Sequence, residues 1–199
     1  MKSSHYKILF FLAISYCLNG CTAAVIGGAA VGTSVVLDKR TSENYFADQE
    51  IKSNFTYQYS LDEELSQQTQ ISFTSYNRQA LITGEAPTEL QKQKLAKIAA
   101  SIKNIRRTFN EVVIAQPTSM SSRSNDSYIT SKIKTSLLTH LNEFDNAQAK
   151  VVTENSTVFL MGLVTQKQAK QITEIVRTTD GVKRVVKIFE YIKPQEKQE

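Results

Sequence analysis

Side chains suited to covalent or metal chemistry are scarce in this chain: two cysteines, Cys17 and Cys21, and two histidines, His5 and His140. A zinc site draws on three or four thiolate, imidazole or carboxylate ligands at characteristic spacings, and these four residues form no such set. The run Asp62-Glu63-Glu64 has the residue type for proton transfer, but three successive carboxylates at the exit of a predicted helix read as a solvated cap. No GxSxG nucleophile elbow is present. The expectation is a chain without catalytic residues, metal or cofactor.

One of the four has another use. Lys2 and Lys7 precede an uncharged run from Ile8 to Gly20, followed by Cys21. A positive start, an apolar segment and a small residue before the cut describe a signal peptide over residues 1–20. Leu18-Asn19-Gly20-Cys21 resembles the lipobox of bacterial lipoproteins, with Asn19 a departure from the usual small residue. The resemblance implies cleavage before Cys21, a covalent lipid on that residue and, with Thr22 rather than Asp next, delivery to the outer membrane. The charge-free stretch from Ile8 to Leu37 is also long enough to cross a bilayer. Gly20, Gly27, Gly28 and Gly32 make it a poor helix interior, which favours the lipidated reading. Cleavage would remove His5 and Cys17, leaving His140 as the sole imidazole.

The rest of the chain is written twice. With a shift of 78 residues, the helical stripe Ile51, Phe55, Tyr59 falls on Ile129, Ile133, Leu137. Asn77-Arg78 falls on Asn155-Ser156, each between alternating apolar segments, as tight hairpin turns. Gly84 falls on Gly162. Predicted second helices follow at 88–102 and 166–179, Asn104 then meets Gly181 after a one-residue slip, and final strands are predicted over 106–115 and 183–192. Each copy reads α-β-β-α-β. The expected organisation is a lipidated N-terminus and spacer over 21–47, modules over 48–115 and 126–193, a serine-rich linker over 116–125 and a tail over 194–199. Each module is near the lower size limit for an independent core, so the two are expected to pack on each other. Gly84, Gly162 and Gly181 are read as structural, Gly84 and Gly162 marking places where a neighbouring backbone or helix comes too close for a Cβ.

Two such modules, a glycine after each hairpin, and the runs TENSTVFLMGLVT and GVKRVV are similar to the BON-domain family. The fold class expected is therefore α+β: tandem BON modules, each with a three-stranded sheet and two helices. The resemblance implies a periplasm-facing protein that supports outer-membrane integrity and binds anionic phospholipid rather than an enzyme.

Charge indicates which module does so. Residues 44–115 carry eight basic and eight acidic side chains, whereas 123–193 carry eleven and seven, a net of +4. Basic surfaces attract nucleic acid or anionic membrane; the stacking aromatics of single-strand binders are absent, so nucleic acid is not the expected partner. The helix predicted to start at Asp126 as its N-cap puts Ile129, Ile133, Leu137 and His140 on one face. Tyr128, Lys132, Thr135 and Leu138 fall on the other, with Lys134 flanking. A ring at headgroup level beside lysines is what an interfacial helix uses, so these five residues are the candidate phospholipid contacts. A protein-interaction adaptor for an envelope assembly or cell-wall factor is the alternative.

Overall fold

The structure is a computed structural model that describes residues 40–140 and 149–193. The expected signal segment, Cys21 and the expected tail lie outside the described residues. Lys39–Glu199 is one compact unit, holding every described strand pairing and all the apolar clusters below, as an independently folding domain requires.

The first module runs α1 (Ser42–Leu61), α2 (Glu63–Gln68), β1 (Gln70–Tyr76), β2 (Gln79–Ala86), α3 (Glu89–Ser101), β3 (Arg107–Asn110) and β4 (Val113–Ile114); the second runs α4 (Met120–Thr139), β5 (Lys150–Glu154), β6 (Thr157–Val164), α5 (Gln166–Arg177) and β7 (Arg184–Tyr191). The α+β class and the duplicated α-β-β-α-β order are as the sequence indicated. In each module the second strand is central, antiparallel to the first and parallel to the last.

The hairpin turns are built from paired positive φ angles: 51° and 62° at Asn77 and Arg78, 47° and 59° at Asn155 and Ser156. This is the type I′ geometry whose twist matches that of the flanking strands. The second helices share another local device. Thr88 with Gln91, and Thr165 with Gln168, form reciprocal capping boxes.

Several boundaries differ from expectation. Asp126 is not an N-cap: α4 starts six residues earlier, capped by Ser119, whose side chain accepts the Ser122 N–H at 3.3 Å. More than half of the expected linker, residues 120–125, is therefore helix, and α1 likewise begins within the expected spacer, at Ser42. Serine disfavours a helix interior by offering the backbone other partners, but Ser124, Ser127 and Ser131 each donate their hydroxyl to the carbonyl four residues back. The first module also has an extra helix, α2, capped by Asp62 of the acidic run. Its last strand is interrupted, though Ile82 pairs with Asn110 and Glu85 with Val113, so no residue is inserted.

Each module has its own helix-to-sheet core. Ile51, Phe55, Leu65, Ile82 and Leu95 anchor the first, and Ile129, Ile133, Leu160, Ile172 and Val176 the second. A third cluster joins the modules: Tyr76 and Leu81 meet Phe159, Met161 and Ile188. The two sheets thus pack through the faces their helices leave free, which is why VFLMGLV is apolar on both sides of the strand. Polar contacts border the joint, with Asn77 and Arg106 donating to Glu190 at 2.7 and 2.9 Å.

Candidate functional site

The turn of each hairpin is held by one carboxylate. Asp126, buried in α4, accepts the N–H groups of Asn155 and Ser156, both at 2.8 Å. Asp48 of α1 does the same for Asn77 and Arg78 at 2.7 and 2.8 Å, and also accepts the Ser75 hydroxyl. The charge is repaid by charge-assisted bonds, and the first helix of each module is thereby fixed across its sheet. In α4 this fixes which residues face outward.

Outward from that clasp, Ile129 and Ile133 are buried, while Tyr128 is 63% and Leu138 64% exposed. Tyr128, Lys132, Thr135, Ser136 and His140 of α4 line a groove of about 730 Å³, whose other wall is Ile175, Thr178, Thr179 and Asp180. Lys132 Nζ lies 3.1 Å from Asp180 Oδ2 and 4.9 Å from the centre of the Tyr128 ring. The groove thus brings together three of the five expected contact residues. Leu138 is exposed but not part of its wall, and Lys134 is on another flank, where burial and then the charges of Lys134, Lys52 and Arg40 lower the pKa of Lys150.

Gly181 positions the far wall. Its φ is +94°, and a Cβ there would stand 3.0 Å from Ile129 Cγ1. The turn after α5 therefore rests on α4, which sets Asp180 beside Lys132. Gly84 is tighter still: at φ +115° its Cβ would fall 1.9 Å from the Gln70 carbonyl oxygen. Gly162 does not share that conformation, being absent from the positive-φ glycines; it is buried in β6 opposite Phe189, beyond the end of the β5 pairing.

The acidic run is structural. Asp62 caps α2 and accepts a bond from Lys94 at 3.0 Å. His140 closes α4, its backbone N–H bonding to the Leu137 carbonyl. Among the described residues no group of three or more His, Cys, Asp or Glu side chains is placed to hold a metal. Among the described residues, the carboxylate displaced far from its ordinary range is Glu154, pushed up to about 7 by burial, then by Glu85 and Asp126, against the pull of Arg123.

The BON domain model matches residues 47–116 and again 125–193. The chain belongs to the BON-domain family. Its two BON modules make it similar to the outer membrane lipoprotein DolP of Haemophilus influenzae, 30% identical over 94% of this chain and 96% of that protein. It is also 30% identical to a 21 kDa hemolysin of Actinobacillus pleuropneumoniae, over 78% of this chain and 80% of the other. Among solved structures, the C-terminal domain of CdsD, a structural protein of the type III secretion system of Chlamydia trachomatis, aligns with TM-score 0.26 and 12% identity over 67% of this chain and 98% of its own, too slight a likeness to bear on fold or function. Among the described residues no helix is long and apolar enough to cross a membrane.

The paired Asp clasps of the BON modules were missed from sequence, although Asp48 and Asp126 stand at the same 78-residue shift as the other landmarks. The signal was present, but an aspartate near a helix start reads first as a cap.

Proposed function

We propose that this protein is a lipid-anchored, periplasm-facing component of the outer membrane, attached through Cys21, whose second BON module binds anionic phospholipid and thereby supports envelope integrity. Its action is binding rather than catalysis. The observation that carries the reading is the outward face of α4: an exposed tyrosine ring beside a lysine, at a groove rich in hydroxyls. A ring of this kind sits at headgroup level while the cation meets phosphate. The name of the Haemophilus influenzae relative supports the location. A flexible chain of roughly 20 residues has a reach of about 25 Å, which would let the module return to the membrane that holds its anchor, at high effective concentration.

The test is co-sedimentation of residues 39–199 with phosphatidylglycerol vesicles and with phosphatidylcholine vesicles across a salt series. Binding that needs the anionic lipid and weakens with salt supports the reading. Equal binding to both lipids, or to neither, removes it.

A second reading, an adaptor for an envelope protein, is favoured by α1, where Phe46, Tyr57 and Leu61 are all exposed. At 100° per residue they share a 60° arc of the helix. Capture of an envelope protein that is lost on Tyr57→Ser, with lipid binding absent, would favour it.

A further inference from the structure

Lys132 is already occupied. Among the described residues its ammonium pairs with one carboxylate, Asp180, and lies over one aromatic face, Tyr128. The lysine side chain is 27% exposed, whereas that of Asp180 is 100% exposed. A carboxylate so open to water would ordinarily wander. Here its backbone neighbour, Gly181, is pressed against Ile129, so the turn keeps Asp180 over the lysine.

The first module shows that the fold does not demand this arrangement. The shift that equates Asp48 with Asp126 puts Glu50 at the place of Tyr128 and Asn54 at that of Lys132. Asn104, with φ 71°, takes the place of Gly181, and Lys103 therefore that of Asp180. The first module thus has neither the ring nor the cation, and carries the opposite charge in the turn. The Tyr128–Lys132–Asp180 group is particular to the second module, and none of its members is needed for the clasp or the core.

We propose that Asp180 is an internal competitor for the phosphate of the headgroup. It holds Lys132 in the groove in the free protein, and gives it up when a lipid phosphate takes its place. This rests on the reading that the second module binds anionic phospholipid. An exposed ion pair is weak and screened by salt, so it yields to a surface dense in phosphate, where each cation gains from the whole field of the leaflet. A single dissolved phosphate offers no such field. Once displaced, Asp180 stands beside the anionic surface and is repelled by it. Asp180 therefore sets a threshold: the module ignores sparse anions and engages membrane regions of high negative charge.

The experiment is flotation of residues 39–199 with phosphatidylcholine vesicles carrying increasing fractions of phosphatidylglycerol. Asp180→Asn is expected to bind at a lower anionic fraction, with affinity raised about three- to tenfold. Asp180→Glu, which keeps the charge, is expected to behave as the parent does. In the background of Lys132→Gln, Asp180→Asn is expected to gain less, because the competed cation is gone. Equal or weaker binding by Asp180→Asn, while the parent binds and Tyr128→Ala reduces that binding, overturns the competitor and leaves the lipid reading standing. Absence of binding by the parent and by every variant overturns both. Saturable binding of inorganic phosphate to the parent, followed by NMR at Lys132 and Asp180, would contradict the threshold.

Discussion

Asp126 binds Ser156 through the backbone: the carboxylate of a helix residue accepts the N–H of a hairpin residue at 2.8 Å, 30 positions away. The same carboxylate takes Asn155, and Asp48 repeats the arrangement at Asn77 and Arg78. The first helix of each BON module is thus oriented by a polar clasp as well as by its apolar stripe. Asp126→Ala leaves the turn N–H groups without their charged acceptor and is expected to cost about 2–4 kcal/mol. Chemical denaturation of residues 39–199 measures it; a change below about 0.5 kcal/mol would mean that the clasp is incidental.

The landmark glycines differ in what they avoid. Gly84 faces a backbone oxygen 1.9 Å from its would-be Cβ, which cannot move without breaking the β1–β2 ladder. Gly181 faces side-chain atoms instead, Cγ1 and Cδ1 of Ile129 at 3.0 and 3.1 Å, and Asn104 also holds a positive φ in the first module. Gly181→Asn is therefore expected to cost about 1 kcal/mol, and Gly84→Asn about 3 kcal/mol or more. Melting temperatures in the reverse order would contradict the two geometries.

Glu154 lines a groove with Gln70, Ile71 and Ser72 of the first module, and a pH dependence of stability is expected there. Glu154 has its pKa raised to about 7, first by burial and then by Glu85 and Asp126. The folded state then holds a proton that the unfolded state has already released, across the window from the ordinary glutamate range up to about 7. Stability contributed by this group is present at the acidic end and is lost as pH rises through that window. Glu154→Gln is expected to raise the melting temperature more at pH ~8 than at pH ~5. An equal effect at both values would remove the titration at this site.

How much of this was legible in the sequence follows from where the information lies. The helical stripe of Ile129 and Ile133, the Asn-led turns and the repeat itself are local patterns, and each appears in the structure. Asp126 was misread because its partners lie 29 and 30 residues downstream, and a helix start sees only its nearest neighbours. Gly162 and Gly84 stand at matching places in the repeat but differ in φ, which matching letters do not fix. The pairing of Lys132 with Asp180 spans 48 residues and depends on a turn whose position is set by Gly181. Helical angles gave the direction of Lys132 but not its counter-ion.

In the proposed reading, attachment to the outer membrane runs through Cys21. Cys21→Ser is expected to abolish incorporation of labelled fatty acid and to leave a precursor that keeps residues 1–20, seen as slower migration on a denaturing gel. Persistent labelling of that variant would contradict the anchor.

The most direct measurement of the central claim is a residue-resolved NMR map of residues 39–199 titrated with short-chain phosphatidylglycerol below its micelle concentration. The expected result is saturable shifts concentrated on the outward face of α4, at Tyr128, Lys132, Thr135 and Leu138, and across the groove at Thr178 to Asp180. Tyr128→Ala should diminish them while the protein melts within about 0.5 kcal/mol of the parent, as surface substitutions do. Ile133→Ala, five positions further along α4 but fully buried, should instead destabilise the fold by about 2–5 kcal/mol. Shifts confined to the first module, or spread over the inter-module joint with α4 unmoved, would contradict a lipid-binding second module.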